Sequence, residues 1–224
     1  IHHGTGTYEI GNINLQSEKG LKWVNTFTYQ NSWLHWNADL FGQVIDNYIY
    51  SQPNPDSVRQ TIRGTFPIFQ SAQDDAIFYG IDIQTTAHID THWDYELNFS
   101  SVRAKNTSKN SYLPYIPADR IQQAITYKYS LSENNHSYIK AKHQFQSRQS
   151  RYQANSDFAP PPPSYHTFDL IAYSNWKLSP TRSLGVSLIG ENILNKSYKD
   201  YLNRFRYFSH SVGRNIALKV NYTF

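Results

Sequence analysis

The sequence contains no cysteine and no long apolar run, and both absences narrow what the chain can be. Without cysteine, it can form neither a disulfide scaffold nor a zinc site built from thiolates. A transmembrane helix needs roughly 18 or more consecutive apolar residues, and no such run occurs. The net charge of +4 comes with no basic stripe, so we expect no nucleic-acid partner. No signal peptide opens the chain, so if the protein is exported we expect its natural N terminus to lie elsewhere.

The chain is instead rich in aromatic residues and in regular alternation. Tyrosine, phenylalanine and tryptophan make up 16% of it, and such residues concentrate where one side is apolar and the other wet, as at membrane interfaces. A period of two predicts a strand with one apolar face. The pattern recurs in about nine segments of roughly 10 to 15 residues, which suits tilted membrane-crossing strands better than the shorter strands of soluble sheets. The apolar sets of the first eight segments begin at Leu21, Leu34, Ile77, Trp93, Ile121, Ile139, Phe168 and Leu184. The final segment carries Ile216, Leu218, Val220, Tyr222 and Phe224.

The connections between these segments alternate in length. Short polar turns are predicted at 30–33, 89–92, 132–135 and 179–182. Long loops are predicted at about 50–75, 106–118, 153–163 and 196–212, the first with room for a hairpin of its own at "RGTFPIF". The run Pro160 to Pro163 is interpreted as a stiff spacer. Short turns at one end and long loops at the other are typical of outer-membrane barrels, whose short turns are periplasmic.

Alternation alone would also fit a soluble β-sandwich, but sandwich strands are shorter and their loops more even. We therefore predict an all-β, transmembrane antiparallel β-barrel with its apolar face toward lipid and its polar face toward the lumen. The predicted polar face carries a mixture of both charges, which argues against an ion-selective ring. Its charged members are Lys22, Asp39, Asp82, Asp94, Glu96, Lys128, Lys140, Lys142, Asp169, Lys177, Glu191 and Lys219.

The segment "GENILNKSYKDYLNRFRYFSHSVGRNIALKVNYTF", 190–224, resembles the C terminus of TonB-dependent outer-membrane receptors. In that family an "xENxLNKxYxxY" segment, a long aromatic loop and a "GRxxxxxxxYxF" final strand follow one another. Upstream, "TGTYEIGNINLQSEKG" resembles the family's "GNPxLKPEKS", with Ile13 in place of proline and Gln16 in place of lysine. "FYGIDIQ" resembles "xxGxExE", and "LPYIPADRI" resembles "LPxIPPxRL", with Ala118 where proline is common.

The resemblance implies a 22-stranded barrel with a plugged lumen. Residues 1–224 would then be the C-terminal portion of the barrel, about its last nine strands, with the plug and the earlier strands outside this chain. It implies a multi-pass protein of a Gram-negative outer membrane. Its expected partners are membrane lipid and lipopolysaccharide, the remainder of the same receptor, the TonB complex acting through the plug, and the outer-membrane assembly machinery. In this family the terminal aromatic strand also resembles an assembly signal, so we expect deletion of Phe224 to impair assembly more than ligand affinity.

The resemblance further implies energised uptake of a scarce solute, with no tightly bound cofactor and no enzymatic reaction. The opening "HHxTGTYEIGN" is similar to the branch associated with zinc, and imidazole with carboxylate is a suitable Zn²⁺ ligand set. The candidate metal ligands are His2, His3, Glu9 and His210. Receptors for ferric siderophores, haem or cobalamin remain alternatives, so the transported ligand is either Zn²⁺ or a metal chelate. A passive porin is a more distant alternative, because "ENILNK" and "GRN" argue against it.

A second candidate set lies in the last long loop. Aromatic rings and arginines there could bind a siderophore by stacking and cation–π contact. They could equally form an interfacial girdle whose arginines reach lipopolysaccharide phosphates. The residues concerned are Tyr198, Asp200, Tyr201, Arg204, Phe205, Arg206, Tyr207, Phe208 and Arg214.

Overall fold

The computed structural model describes residues 1–2 and 4–224, and it shows long antiparallel strands with almost no helix. Its elements in chain order are β1 (Tyr8–Ile10), β2 (Lys19–Gln30), β3 (Leu34–Thr61), β4 (Gly64–His88), β5 (Trp93–Asn106), β6 (Ser111–Tyr112), β7 (Arg120–Tyr129), β8 (Asn135–Gln146), β9 (Tyr165–Lys177), β10 (Ser183–Glu191), a short 3-10 helix (Arg204–Tyr207) and β11 (Asn215–Thr223). No helix in the described part of the chain is both long and apolar enough to cross a membrane.

All of these strands belong to one sheet. Its order is β11-β10-β9-β8-β7-β5-β4-β3-β2, with β1 added parallel to β4 and β6 paired with β5. Within the described residues the main path therefore has the nine long strands predicted from the alternation. Each is antiparallel to its neighbours, and β2 and β11 form the two edges.

The register places the predicted apolar sets side by side on one face. One row of paired positions runs through Phe27, Ala38, Ile83, Phe99, Ile121 and Phe145. This face is exposed rather than packed into a core, since Leu218 and Val220 retain 69% and 59% of their surface. The pattern is the reverse of a soluble protein and agrees with strands that present their apolar side to lipid.

The opposite face is polar and carries ion pairs between strands. Lys140 Nζ lies 2.8 Å from Glu96, and Lys128 Nζ lies 2.9 Å from Asp94. Lys142 Nζ lies 3.5 Å from Asp169. Six of the twelve charged residues predicted for the polar face therefore form ion pairs of opposite sign.

The prediction of a long loop at about 50–75 is wrong. β3 and β4 continue through this region and pair until Thr61 meets Gly64, so the hairpin at "RGTFPIF" is the tip of two long strands. Register shifts between Ile45 and Tyr48 and between Asn54 and Val58 interrupt the pairing. They accommodate the turn-forming residues of this stretch, because a bulge bends a strand without ending it.

The two ends of the sheet differ in the way that the turn lengths predicted. Short connections at 31–33, 89–92, 130–134 and 178–182 lie at one end, together with the last residue of β11. The other end, here called the long-loop end, holds the segments 1–18, 107–119, 147–164 and 192–214 and the β3–β4 tip. A small hydrophobic cluster of buried residues, made up of Ala76, Ala104 and Leu113, also lies there.

Candidate functional site at the long-loop end

The long-loop end is organised around an aromatic–arginine cluster contributed by several separate segments. Phe69, on β4, is only 1% exposed and is its centre. Its ring centroid lies 5.9 Å from Tyr115, 5.8 Å from Phe158 and 6.5 Å from Tyr207. Since strand pairing holds β4 in place, Phe69 gives the three loops a fixed surface to pack on. We define the cluster as Phe69, Tyr115, Phe158, Tyr201, Arg204, Arg206 and Tyr207.

Arg206 is the buried cation of this cluster. Its side chain is 1% exposed and forms a short ion pair with Asp157, which lies in the loop between β8 and β9. Its guanidinium also donates to the carbonyl oxygens of Ala159 and Pro160, and it lies 5.0 Å from the centroid of the Tyr201 ring. Arg206 Nε has no hydrogen-bond partner among the described residues. The residue therefore joins the last loop to the proline-containing loop and does not extend toward the membrane surface.

Arg204 forms the outer layer of the cluster. Its guanidinium carbon lies 4.4 Å from the centroid of Phe69 and 5.4 Å from that of Tyr115. Its Nη1 lies 2.9 Å from Glu9 Oε1. Arg204 is 21% exposed at its side chain and Glu9 46%, so this ion pair is accessible to a solute arriving from the loop side.

The two half-buried phenols of the cluster, Tyr115 and Tyr207, are held in their neutral form. Burial raises the pKa of Tyr207, and the nearby Tyr115 and Asp157 add to the effect. Burial likewise raises the pKa of Tyr115, with the charge of Asp157 as the next cause. The two hydroxyl groups hydrogen-bond to each other, and Tyr207 donates to Asp157. At neutral pH they act as hydrogen-bond donors and not as anions.

Asp200 and Tyr198 lie on another side of the last loop. The Asp200 carboxylate accepts a 2.7 Å hydrogen bond from the Tyr165 hydroxyl and a 2.8 Å bond from the Leu202 amide. Tyr198 stacks on Tyr165 with ring centroids 4.2 Å apart. Among the loop residues predicted from the sequence, Tyr201, Arg204, Arg206 and Tyr207 belong to the cluster, whereas Tyr198 and Asp200 contact β9.

The described residues do not bring the candidate metal ligands together. His2 Nδ1 lies 3.0 Å from the Thr5 hydroxyl, Glu9 pairs with Arg204, and His210 is exposed. His3 lies outside the described residues. Within the described part of the chain no three histidine, aspartate or glutamate side chains are placed to hold a metal ion. The zinc ligand set stays a prediction.

The terminal strand has the alternation from which its role was predicted. All residues of β11 are exposed, and β11 pairs with β10 along nine positions from Asn215 to Thr223. Ile216, Leu218, Val220 and Tyr222 lie on the apolar face, and the Phe224 ring stacks on Tyr222 at 6.3 Å. The assembly role of these residues stays a prediction.

Three residues of the cluster, and the carboxylate that pairs with Arg206, were not anticipated from the sequence: Phe69, Tyr115, Phe158 and Asp157. Asp157 stands three residues before the proline run interpreted as a spacer, and Tyr115 has a φ of 57° in the β5–β7 loop. The only signal of these four residues in the sequence is that each is an aromatic or acidic residue within three positions of a proline. That pattern is too common to identify a contact between distant loops.

Comparison with known proteins agrees with this architecture. The family model for the TonB dependent receptor-like β-barrel matches residues 2–193. The matched range stops short of the last loop and β11, which carry the motif that the sequence analysis found most distinctive. No curated protein matches the chain.

Several solved receptors share the fold. The copper transporter OprC superposes with a TM-score of 0.74 at 18% identity, over 95% of this chain and 32% of that one. The FrpB iron transporter from Neisseria meningitidis gives 0.65 at 16% identity, over 98% and 32%. A mutant of the ferric enterobactin receptor PfeA from Pseudomonas aeruginosa gives 0.65 at 15%, over 98% and 34%.

The chain thus spans about a third of the length of the solved structures that it matches. At these identities the superpositions speak for the fold alone, which is the all-β architecture predicted from the sequence. The family model does more, because it covers most of the chain. The members named above are receptors or transporters and not enzymes, as the sequence analysis predicted. The chain belongs to the family of TonB-dependent receptor β-barrels.

Proposed function

We propose that this chain is the C-terminal barrel portion of an outer-membrane receptor that takes up a scarce metal, as an ion or as a chelate, by a TonB-dependent mechanism. The observation that carries the proposal is the match of the family model to residues 2–193. The exposed apolar face of the sheet and the polar opposite face are what such a barrel requires in lipid.

In this proposal, residues 1–224 supply wall and outer loops, and the rest of the receptor supplies the plug and the remaining strands. The loops at the long-loop end would face the exterior and meet the solute first. Energy from the inner membrane would reach the bound solute through TonB and the plug. The packed aromatic–arginine cluster would hold the loops in one arrangement, with the Arg204–Glu9 pair on its accessible side.

Zinc is the first candidate solute because of His2 and His3. A metal chelate is the second, and two observations favour it. Glu9 is engaged by Arg204 instead of standing free to bind a metal, and an arginine over aromatic rings suits an anionic or aromatic chelate. Solved relatives named for copper, iron and ferric siderophores keep both candidates within the range of the fold.

The deciding experiment is uptake by a strain lacking the intact receptor, complemented with the wild-type gene. Zinc and a panel of ferric siderophores would be supplied in turn, each with and without a functional TonB. The proposal predicts TonB-dependent uptake of one of them. Equal uptake without TonB would favour a porin and contradict it.

The solute is then assigned with variants in the intact receptor. His2→Ala combined with His3→Ala should abolish growth under zinc limitation if zinc is carried, and His136→Ala at the opposite end serves as the control. If the double variant grows normally and zinc does not bind the purified receptor, zinc is excluded. Arg204→Ala should then weaken binding of the chelate that the wild type takes up.

A further inference from the structure

A connected set of polar side chains crosses the apolar face of the sheet. Tyr95, Gln123 and His143 occupy apolar-face positions on β5, β7 and β8, and His166 does so at the start of β9. The Tyr95 hydroxyl lies 2.9 Å from Gln123 Oε1, and Gln123 Nε2 lies 3.4 Å from His143 Nδ1. His143 Nε2 lies 2.9 Å from His166 Nδ1. Polar groups on a lipid-facing surface are costly, so their presence calls for a physical reason.

The hydrogen bonds of this set all run in one direction. Tyr95 donates to the amide oxygen of Gln123, so the Gln123 amide nitrogen donates to His143 Nδ1. With both imidazoles neutral, His143 then carries its proton on Nε2 and donates it to His166 Nδ1. This leaves His166 with its proton on Nε2, and among the described residues that N–H has no acceptor. The ring is exposed, so the series ends in a donor that a group outside the chain must satisfy.

An apolar groove lies directly beside the series. It has a volume of about 420 Å³, and its walls on this face include Ile125, Ala141, Phe168 and Leu170. Ala141 lies between the larger Ile125 and Leu170 in the strand pairing, so its small side chain deepens the groove. His143 stands at the edge, stacked on Phe168 with ring centroids 4.7 Å apart. A groove of this shape and polarity suits an acyl chain.

A surplus of positive charge lies on this face, closer to the long loops than the His143–His166 pair does. His166 ends the row that contains Phe99, and the next residue of β5 on that face, Ser101, donates to Asp119. The Asp119 carboxylate is shared by Arg103 at 2.6 Å and Arg151 at 3.2 Å. Two guanidinium groups on one carboxylate leave a net charge of about +1. A bound anion would be favoured at this rim.

We propose that the apolar groove and the His143–His166 pair form a binding site for an anionic, acylated lipid of the outer membrane. An acyl chain would fill the groove between Ile125 and Leu170. The phosphate, or an oxygen next to it, would accept the free N–H of His166, and the Arg103–Arg151 rim would favour its charge. The inference rests on the membrane location proposed above and is independent of the solute transported.

The test uses the purified full-length receptor in detergent, titrated with phosphatidylglycerol and followed by native mass spectrometry. Phosphatidylcholine with the same acyl chains tests the need for negative charge, and inorganic phosphate tests the need for the acyl chain. His143→Phe with His166→Phe removes the donors and keeps the rings, and Ala141→Trp fills the groove. Each is expected to weaken phosphatidylglycerol binding roughly tenfold, the loss of one good polar or packing contact.

Matched controls make the result specific to the site. His136→Phe alters a histidine on the polar face, and Ala172→Trp enlarges an alanine on the apolar face beyond the groove. Both should bind phosphatidylglycerol as the wild type does. Equal binding by all variants would overturn the proposal, as would equal binding of phosphatidylcholine or displacement of the lipid by inorganic phosphate.

The folded state of each variant is checked by heat-modifiable migration on a gel. If the double histidine variant does not fold, His166→Ala replaces it, since that ring is exposed. A receptor that retains phosphatidylglycerol but takes up no metal would refute only the proposed function. A wild-type receptor that shows no membrane barrel would overturn both proposals.

Discussion

At the scale of single residues, the "ENILNK" motif is explained by loop closure. Asn192 and Asn195 have positive φ values of 46° and 52°, which asparagine tolerates better than most residues. Asn192 is 5% exposed, and its side chain accepts from the Lys196 amide at 2.8 Å and donates to the Lys196 carbonyl at 2.9 Å. Asn195 Oδ1 accepts from the Arg214 amide at 3.0 Å. The two asparagines thus turn the chain at the end of β10 and bring it back to the start of β11.

Replacing Asn192 should destabilise the barrel by a predictable amount. Asn192→Ala removes the side chain that bonds both the amide and the carbonyl of Lys196 and places an alanine at positive φ, so we expect a loss of about 2–4 kcal/mol. Asn192→Gly should lose about 1 kcal/mol less than Asn192→Ala. Glycine loses the same side-chain hydrogen bonds, but it adopts a positive φ without strain. Urea unfolding of the refolded receptor, followed by tryptophan fluorescence, measures both. If glycine and alanine cost the same, backbone strain plays no part here.

The Asp119 carboxylate should make the unfolding temperature depend on pH. Burial opposes its ionisation, but bonds from Arg103 and Ser101 and the charge of Arg151 outweigh burial, so its pKa is lower than usual. A carboxyl group whose pKa is lower in the folded state stabilises the fold at pH values above its unfolded pKa of about 4. This stabilisation is lost as the pH falls toward the folded pKa. Asp119→Asn should therefore unfold at a lower temperature than wild type at pH 7, with the gap closing in acid. A gap that stays constant across this range would show that the effect is not ionic.

At the scale of elements, the sequence was sufficient for the strands and their faces but not for all of their limits. A lipid-facing strand must alternate apolar and polar residues along its whole length, so segments such as 216–224 can be recognised from the sequence. The continuation of β3 and β4 to Thr61 and Gly64 was missed because prolines, asparagines and aspartates interrupt the pattern there. Bulges absorb those residues in three dimensions, and a linear pattern does not reveal a bulge.

The packing of the loops could be predicted even less. The aromatic segment around Arg206 predicts contact with a ligand or with lipopolysaccharide. In the structure, Arg206 is instead buried against Asp157. Burial there is created jointly by β4 and by loops from three different hairpins. No local pattern encodes such a contact, because the partners are 49 residues apart in the chain.

Two glycines on neighbouring strands offer a direct test of the sheet geometry. A Cβ on Gly80 would lie 2.5 Å from the Ser101 carbonyl oxygen and 2.6 Å from the Phe41 ring, whereas a Cβ on Gly42 would meet nothing within 4 Å. Gly80→Ala should therefore lower the free energy of unfolding by about 1–3 kcal/mol, as overpacking does. Gly42→Ala should be neutral or slightly stabilising, since alanine loses less entropy on folding. Equal effects in urea unfolding would contradict the register of β3, β4 and β5.

At the scale of the whole molecule, the described sheet has one apolar and one polar face, and its largest fully buried side chain, Phe69, packs against the loops. Phe69, Arg206 and Asn192 are all buried at the long-loop end, whereas many large apolar side chains along the strands, such as Leu21, Leu188 and Leu218, are exposed. The loops therefore have a core of their own, and the strands depend on their surroundings for the burial of their apolar face. Such a division suits a receptor in which the wall is fixed by lipid and the outer loops by each other.

The two edges of the sheet give the last prediction. In the described residues β2 and β11 each pair on one side only, and every residue of both strands is exposed. An unpaired backbone group in lipid costs several kcal/mol, and each edge presents a row of them. We therefore expect residues 1–224 expressed alone to form no heat-modifiable barrel in detergent or lipid vesicles, while the intact receptor does. Cysteines introduced at Lys219 and Asn221 should then form disulfides, in the intact receptor, with cysteines introduced in a strand outside this chain. A closed barrel formed by residues 1–224 alone, with β2 linked to β11, would refute this account of the edges.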